Sequence, residues 1–223
     1  KSRYGSTRIF HELKARGIPC TRAKIAELMN NMNLIAKSRK KYKVTTDSNH
    51  NKQVAPNLLA QDFSATGPNQ KWVSDITYIP TSEGWLYLCV FIDLFSRSVI
   101  GWSMSSRLKA NLVTDALTMA LFRRKFPNKV IVHSDRGSQY CSNKQKKLLN
   151  INSLICSMSA TGCCYDNAAM ESFFHTLKVE LVHGENYRSK NEASSSIAYY
   201  IEAYYNRKRR HSAINYNIPL LYI

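Results

Sequence analysis

Three consecutive runs with strand-like alternation constrain the fold of this chain more than any other feature. The runs Trp72–Ile79, Trp85–Asp93 and Arg97–Met104 are rich in β-branched and aromatic residues, and short turn segments at 80–84 and 94–96 separate them. Strands joined by turns this short pair with their neighbours in antiparallel fashion. The sequence therefore predicts a three-stranded antiparallel meander.

Helix and strand patterns alternate after the meander. A helical pattern at about 112–125 precedes a short apolar run at 129–133, which we expect to form a parallel, central strand. This is the element order of an RNase H-like fold: three antiparallel strands followed by helix, strand, helix, strand and helix. The predicted class is α/β, with a mixed five-stranded sheet flanked by helices and preceded by a small helical segment. The later elements are a helix capped by Ser142 and running through Asn150, a strand at about 154–157, a helix capped by Asp166 and Asn167 that ends near Gly184, and a helix at about 191–206.

Three carboxylates occupy separate predicted elements of a strongly basic chain. Lysine and arginine outnumber aspartate and glutamate by 32 to 15, so acids that gather at one point need a local reason. Asp75 interrupts a mostly apolar strand face, Asp135 follows the strand that ends at His133, and Glu171 lies in the first turns of the long helix. Because functional groups collect at the carboxyl ends of parallel strands, we expect the three acids to converge on one edge of the sheet.

Carboxylates that converge in this way indicate a metal site. They repel one another and have raised pKa values unless a cation offsets them. Their oxygens suit Mg²⁺ or Mn²⁺, and two such ions about 4 Å apart would stabilise the attacking and leaving oxygens of a phosphoryl displacement. Lys178 lies on the same helical face as Glu171, about 10 Å along, where it could contact a neighbouring phosphate. The sequence thus predicts a metal-dependent enzyme that acts on nucleic acid.

Each of these acids also has an ordinary structural interpretation. Singly, Asp75 could be a hydrogen-bonded strand residue, Asp135 a turn residue and Glu171 a surface residue of a helix. Their joint occurrence is what favours a site. Asp93, at the end of an apolar strand, is the main competing acid, and we assign it to a turn or orienting role. His133 is expected to be a hydrogen-bonded structural residue rather than a ligand.

Basic residues dominate the first part of the chain. Residues 1–60 contain 13 Lys or Arg against three acids, while residues 61–223 contain 19 against 12. Apolar residues recur at helical spacing around a break at Gly17 and Pro19, and Thr21 is placed to cap a second helix. This pattern predicts a helix-turn-helix that presents cations to a DNA backbone, although a solvated basic face on an ordinary helical hairpin is the alternative. The candidate DNA contacts here are Arg8, Arg22 and Lys24.

The predicted domain boundaries follow these changes in composition. Residues 1–36 are the helix-turn-helix-like DNA-binding segment, residues 37–66 a basic polar linker, and residues 67–223 the catalytic core with its C-terminal helix. The six cysteines form no C-x-x-C pair, which argues against structural zinc. No apolar run is long enough for a membrane span and no signal peptide is evident, so we expect a cytoplasmic protein with no membrane partner. The chain lacks an initiating Met, so we expect upstream sequence to be missing.

Three segments closely resemble the integrase core of bacterial insertion-sequence transposases. They are residues 72–78 (WVSDITY), 133–140 (HSDRGSQY) and 166–174 (DNAAMESFF). Residues 4–9 are similar to the start of that group's helix-turn-helix region, and the tyrosine-rich and basic residues of 204–213 to its C-terminal signature. The resemblance is to the OrfB-type group typified by insertion sequence 3, within the DDE or retroviral-integrase superfamily, and it covers nearly the whole chain.

The resemblance implies a site, a reaction and partners. Asp75, Asp135 and Glu171 would be catalytic ligands of Mg²⁺ or Mn²⁺, with two ions expected and Lys178 at the group's basic position. Such enzymes cut double-stranded DNA at the element's ends to free a 3′-hydroxyl, which then attacks another phosphodiester in strand transfer. They often act as multimers that pair two DNA ends, together with an upstream, frameshift-fused DNA-binding segment, in the bacterial cytoplasm and on the nucleoid when bound to DNA. Further DNA contacts are predicted at Arg136, Arg207 and Arg209.

This chain departs from the group's pattern at two places. Arg210 stands where Pro commonly follows the basic run, and the chain ends at Ile223 without the usual acidic tail.

Two other functions compete with the transposase interpretation. One alternative is a non-catalytic DNA-binding remnant that acts as a repressor at element ends, and the complete acidic set argues against it. The other is an RNase H-like nuclease that acts on RNA–DNA hybrids or junctions, which leaves the basic helical hairpin unexplained.

Overall fold

A computed structural model describes residues 3–37, 54–160 and 164–222. It contains a small helical hairpin followed by a mixed α/β layer structure. The five strands are β1 (Lys71–Thr81), β2 (Gly84–Asp93), β3 (Val99–Ser105), β4 (Ile131–Ser134) and β5 (Ile155–Met158). The helices of eight or more residues in these ranges are α1 (Ser6–Ala15), α2 (Arg22–Asn31), α3 (Ala110–Arg123), α4 (Asn143–Ile151), α5 (Ala168–Glu180) and α6 (Lys190–Tyr199).

The sheet has the strand order β3-β2-β1-β4-β5. β1 pairs with β2, and β2 with β3, in antiparallel fashion, which confirms the predicted meander. β4 lies between β1 and β5 and runs parallel to both, so the short apolar run at 129–133 does form an interior parallel strand. The RNase H-like class predicted from the order of elements is therefore confirmed.

Each face of the sheet carries its own apolar core, because alternate residues of the strands point to opposite sides. Trp72 packs on the side covered by α3 and α4, while Val73 packs on the side covered by α5 and α6. Gly101 of β3 allows α3 to approach closely, since a Cβ there would overlap the carbonyl oxygen of Ala116. The two cores fix the position of α5 relative to β1, on which the candidate site depends.

Two predicted helix caps are confirmed and two are wrong. Thr21 accepts a hydrogen bond from Lys24 N at 3.2 Å, and Ser142 caps α4 by accepting one from Gln145 N at 3.3 Å. Asn167 makes no capping hydrogen bond, and the Asp166 carboxylate instead accepts from residues of two other loops. The donors to Asp166 are Asn57 Nδ2, Gln61 Nε2 and Ala160 N.

The last two helices depart from regular geometry at their ends. α5 stops at Glu180, and a short 3₁₀ turn at Val182–Gly184 occupies the place where the sequence pattern predicted the rest of the helix. α6 continues into a π-helical turn at Tyr200–Tyr205, which reaches the predicted end of that helix near Asn206.

The N-terminal helices form the predicted hairpin but bury little of their apolar surface. Within the described residues of these two helices, only Ile25 is buried, whereas Ile18 of the connecting turn and Leu28 are each 46% exposed. The hairpin instead rests on the end of the chain, where the rings of His11 and Tyr216 stack at 3.6 Å.

Arg210, the residue that departs from the group's pattern, joins α1 to the C-terminal segment. Its side chain donates to Glu12 Oε2 at 2.6 Å, and its backbone N–H donates to Tyr4 Oη at 2.9 Å. A proline could make neither hydrogen bond. In this chain the departure therefore adds a contact between the hairpin and the core.

Residues 54–66 of the predicted linker pack against the core. Leu59 is 1% exposed within the core on the α5 side of the sheet, and Phe63 packs against the same core. These apolar side chains bind the segment to the catalytic core although its overall composition is polar. Residues 38–53, the most basic part of the predicted linker, lie outside the described residues. None of the described helices is long and apolar enough to cross a membrane.

Candidate active site

Asp75 and Asp135 lie side by side where β1 and β4 end their pairing. Val73 is opposite His133 in this parallel register, so the next two residues of each strand bring the two aspartates abreast. The negative charge of Asp135 is, after burial, the strongest cause that raises the pKa of Asp75. The first pair of the predicted triad therefore meets in space.

Backbone amides orient both aspartates. Ile76 N donates to Asp75 Oδ1 at 2.7 Å, and Gly137 N donates to Asp135 Oδ1 at 2.9 Å. A Cβ at Gly137 would lie only 3.0 Å from Asp135 Oδ1, so glycine at this position lets the loop close around the carboxylate. The turn after β4 thus holds Asp135 in place through its own main chain.

α5 brings Glu171 and Lys178 to the same edge of the sheet. Asn167, just before the helix, donates to the carbonyl oxygen of Ser74 at 3.1 Å, which ties the start of α5 to β1 beside Asp75. Glu171 is half-buried, and burial raises its pKa. Burial lowers the pKa of Lys178, and the charge of Asp75 opposes that shift. The positions buried along α5 include Met170, Phe173, Leu177 and Glu180.

The electrostatics of the site show an excess of negative charge. The pKa of Asp75 is raised well above its ordinary value, first by burial, then by Asp135 and more weakly by Glu171; a hydrogen bond from Ile76 and the charge of Lys178 act in the opposite direction. The contribution of Glu171 places its carboxylate within electrostatic range of Asp75. A cation held among these oxygens would relieve the repulsion.

The three carboxylates are the type of ligand that a hard divalent cation prefers, but in this structure they do not lie close enough together to enclose one. Within the described ranges, no three His, Cys, Asp or Glu side chains are close enough to enclose a metal ion. Carboxylate oxygens are nevertheless the ligands that Mg²⁺ and Mn²⁺ prefer. The chemistry of the residues fits the predicted ions.

A polar network behind the aspartate pair was not anticipated from the sequence. Ser74, on the face of β1 opposite Asp75, shares a hydrogen bond of 2.8 Å with Tyr140 Oη. Both are buried, and burial raises the pKa of Tyr140 far above its ordinary range. The motif at 133–140 contains Tyr140, but its pairing with Ser74 depends on the sheet register and gives no local sequence signal.

His133 and Asp93 have the structural roles that the sequence predicted. His133 lies between Ser157 Oγ at 2.8 Å and Ser159 Oγ at 3.2 Å, and burial lowers its pKa to about 4 against the opposing charge of Asp166. Asp93 accepts from Phe95 N at 3.1 Å within its turn and forms an ion pair with Arg124 at 3.2 Å. Neither residue belongs to the acidic cluster.

The predicted DNA contacts lie in different environments. Arg22 and Arg207 are exposed, and the exposed Lys24 pairs with Glu27 at 2.9 Å. Arg136 follows Asp135 in the loop after β4, and its side chain donates to the carbonyl oxygen of Ser159 at 2.7 Å. Arg8 forms a partly exposed ion pair with Glu180 at 3.5 Å.

Arg209 is a structural residue rather than a DNA contact. It is 2% exposed, and its guanidinium donates to both carboxylate oxygens of Glu180, with the shortest distance 2.9 Å. A buried arginine that is already bound by a carboxylate cannot reach a phosphate without breaking this pair. The exposed Arg207, two residues earlier, remains a candidate.

Comparison with known proteins identifies the family. A model described as an integrase core domain matches residues 65–189, a second of the same description matches 171–222, and a model of an HTH-like domain matches 1–42. Transposase InsF for insertion sequence IS3A of Escherichia coli (strain K12) is 54% identical over 212 residues, covering 95% of this chain and 74% of that protein. This chain belongs to the insertion sequence 3 family of transposases.

One further relative and two solved structures are also similar to this chain. The transposase is 45% identical over 211 residues to the IS600 uncharacterized 31 kDa protein of Shigella sonnei, covering 95% of this chain and 78% of that protein. The HTLV-2 integrase catalytic core domain in complex with magnesium superimposes with a TM-score of 0.53 at 15% identity, covering 71% of the transposase and 99% of that chain. A chain of the simian T-cell lymphotropic virus intasome in complex with PP2A regulatory subunit B56 gamma gives a TM-score of 0.50 at 16% identity. The match covers 86% of the transposase and 67% of that chain. At these identities the structural matches show a shared fold, that of an integrase catalytic core.

Proposed function

We propose that the transposase cleaves double-stranded DNA at the ends of its element and joins the freed 3′-hydroxyl to a target strand, with Asp75, Asp135 and Glu171 as catalytic metal ligands. The main support for this proposal is that Asp75 and Asp135 lie next to each other. Burial and then the charge of Asp135 raise the pKa of Asp75; from α5, Glu171 adds to this rise and Lys178 opposes it. A basic protein that concentrates negative charge at one point has the charge distribution of a cation site that faces a polyanion.

Mg²⁺ or Mn²⁺, two ions in this proposal, would supply the positive charge that stabilises the attacking and leaving oxygens of an in-line displacement. Asp75, Asp135 and Glu171 would hold the ions through their carboxylate oxygens. The matched HTLV-2 integrase core is a complex with magnesium, which supports this choice of ion. Binding of DNA would bring additional phosphate oxygens to the site.

The side chains around the triad would bind and orient the DNA backbone. Lys178, about two turns beyond Glu171 on α5, would contact a phosphate next to the scissile bond, and Arg136 would contact another beside Asp135. In the first step the oxygen of water bonds to phosphorus, the bond from phosphorus to the 3′ oxygen breaks, and the 3′ oxygen takes up a proton. In the second step that 3′-hydroxyl loses its proton and its oxygen bonds to a phosphorus of the target. The bond from that phosphorus to the target's own 3′ oxygen breaks, and this leaving oxygen takes up a proton. The protein contributes position and electrostatics to both steps.

The proposal includes partners beyond the active site. Arg22, Lys24 and Arg207 are exposed cations that would contact phosphates of double-stranded DNA without reading its sequence. A multimer would pair two DNA ends, and the trimeric form named for the matched HTLV-2 core supports assembly of this fold. A frameshift-fused upstream DNA-binding partner and action in the bacterial cytoplasm, on the nucleoid, complete the proposal.

A cleavage assay with the whole chain tests this function. Purified protein is incubated with labelled duplex from the element's ends in Mg²⁺ or in EDTA, and new 3′-hydroxyls are detected by polymerase extension. We expect nicking by the wild type in Mg²⁺ and none in EDTA or with Asp75→Ala. A pure DNA-binding protein would instead show no difference between wild type and Asp75→Ala. Preference for an RNA–DNA hybrid over the duplex would favour the nuclease alternative.

A further inference from the structure

Ser74 joins β1 to the two other elements that carry the predicted triad. It precedes Asp75, and its side chain lies on the opposite face of the strand. Its hydroxyl shares a hydrogen bond of 2.8 Å with Tyr140 Oη, in the loop after β4. Its carbonyl oxygen accepts a hydrogen bond of 3.1 Å from Asn167 Nδ2, just before α5. One residue of β1 is therefore bonded to the loop that follows the second acid and to the start of the helix that carries the third.

A continuous series of hydrogen bonds connects Tyr140 to Asp135. The backbone N–H of Tyr140 donates to the carbonyl oxygen of Gly137 at 3.0 Å, and the backbone N–H of Gly137 donates to Asp135 Oδ1 at 2.9 Å. The loop is thus a tight turn that holds the Asp135 carboxylate at one end and the tyrosine ring at the other. Because Tyr140 is bonded to Ser74, the position of this turn relative to β1 depends on that contact.

The pairing of the strands does not fix the spacing of the two aspartates. Within the described residues, β1 pairs with β4 from Lys71 only as far as Val73, which is opposite His133. Both aspartates lie beyond this pairing. The hydrogen bond between Ser74 and Tyr140 begins one residue after the pairing ends, so it continues the connection between β1 and the segment after β4 toward the site.

Ser74 is the fixed member of this hydrogen-bonded pair. It lies in an interior strand, opposite Phe91 in the antiparallel pairing of β1 with β2. Asn167 also holds its carbonyl oxygen. Tyr140, in contrast, belongs to a loop outside the strands and helices. The hydrogen bond therefore determines the position of the loop rather than that of the strand.

The pair is buried away from water. Ser74 has no exposed surface and Tyr140 is 3% exposed, while Cys89 Sγ lies 3.6 Å from the serine hydroxyl and 3.7 Å from the tyrosine hydroxyl. A hydrogen bond in such surroundings is not weakened by competing water. An apolar pair of the same shape could fill this space with little loss of stability. What the two hydroxyls add is a defined distance and direction between the strand and the loop.

We propose that Tyr140 is a positioning residue of the active site: through its hydrogen bond to Ser74, it sets the distance of Asp135 from Asp75. This inference rests on the proposed function, since it assumes that the aspartates hold metal ions. Tyr140 is buried on the far face of β1, so it acts on Asp135 through the backbone of the turn and not on an ion or on DNA. Mg²⁺ demands nearly ideal octahedral geometry, so a loosened turn lowers the affinity of the site for divalent ions.

Binding of Mn²⁺ alone to the full chain, measured by electron paramagnetic resonance, tests this inference without requiring DNA cleavage. Tyr140→Phe removes one hydroxyl of the pair and Ser74→Ala removes the other, and each variant keeps the remaining shape of its side chain. We expect each variant to bind Mn²⁺ about tenfold more weakly than the wild type, the lower end of the range for groups that orient metal ligands.

The double variant tests whether the two hydroxyls act as one unit. It should bind Mn²⁺ no more weakly than the weaker single variant, because both changes break the same hydrogen bond. Losses of affinity that multiply would show that the two hydroxyls act separately, and they would contradict the inference.

A buried tyrosine elsewhere in the core provides the matched control. Tyr205 is 2% exposed, and its hydroxyl donates to the carbonyl oxygen of Arg97 at 3.2 Å. Tyr205→Phe removes the same atom from the same residue type and should keep wild-type Mn²⁺ affinity. All titrations are made well below the thermal midpoint of each variant, measured by circular dichroism, so that a change in stability alone does not lower the affinity.

Wild-type Mn²⁺ affinity in Tyr140→Phe, an equal loss in Tyr205→Phe, or no Mn²⁺ binding by the wild type would overturn the inference. The cleavage assay decides the proposed function separately. If the wild type cuts element-end DNA in Mg²⁺ while Tyr140→Phe keeps wild-type Mn²⁺ affinity, the proposed function stands and the positioning role fails. If Tyr140→Phe weakens Mn²⁺ binding while the wild type cuts no such DNA, the positioning role stands and the proposed function fails.

Discussion

Arg209 donates hydrogen bonds to both carboxylate oxygens of Glu180, at distances between 2.9 and 3.2 Å. Glu180 is the last residue of α5, the helix that carries Glu171 and Lys178. Tyr200 Oη adds a third donor at 2.8 Å, and all three residues are buried. The pair therefore anchors the C-terminal end of the helix that presents the third acid to the site.

Removing Glu180 should destabilise the whole core. Glu180→Ala leaves the Arg209 guanidinium buried without its partner, and such a change costs about 3–5 kcal/mol of the free energy of unfolding. Urea denaturation followed by circular dichroism measures this. The matched control is Glu27→Ala, which removes a glutamate whose side chain is 56% exposed in its pair with Lys24 and should cost less than about 1 kcal/mol. Similar small losses in both variants would show that the buried pair does not anchor α5.

Gly101 should tolerate no side chain. A Cβ at this position would overlap Ala116 O and lie 2.8 Å from Ala120 N, both backbone atoms of α3. Gly101→Ala should therefore push α3 from the sheet and lower the free energy of unfolding by about 1–3 kcal/mol. Gly67→Ala is the control, because a Cβ there meets only the end of the Gln70 side chain at 3.5 Å. Equal thermal midpoints for the two variants would contradict the close approach of β3 and α3.

Acidification should unfold the protein partly through His211. Burial, together with the positive charges of Arg209, Arg97 and Arg8, lowers the pKa of this histidine from 6.5 to about 3. The unfolded chain thus binds a proton at a higher pH than the folded chain, so stability is fully present above pH 6.5 and is lost as the pH falls toward 3. His211→Gln should show a smaller loss over this window in denaturation at stepwise pH. An unchanged pH dependence would mean that His211 is not held neutral.

The sequence predicts the sheet well because strand signals are local. Alternation in Trp72–Ile79 places Asp75 on an apolar face, and the position of Asp135 after a buried parallel strand indicates a sheet edge. The helical stripe of α5 also indicates that Glu171 lies at the border of a buried face. These patterns suffice to bring the three acids to one end of the sheet.

Contacts between distant segments explain the failures. Arg209 is the buried residue among the basic residues 207–210 because it pairs with Glu180, which lies 29 positions earlier in the chain. Asp166 has the residue type of a helix cap but binds Asn57 and Gln61, which are more than 100 positions earlier. Partners so far apart leave no periodic signal in either segment. The packing of residues 54–66 on the core was missed for the same reason.

Titration with Mn²⁺ followed by electron paramagnetic resonance tests most directly whether Asp75, Asp135 and Glu171 hold divalent ions. We predict that wild-type protein with element-end DNA in Ca²⁺-free buffer binds about two ions. Asp75→Asn, Asp135→Asn and Glu171→Gln should each weaken binding by about tenfold or more, whereas Asp115→Asn, at an exposed acid of α3, should not. Wild-type Mn²⁺ affinity in the three site variants would contradict the account.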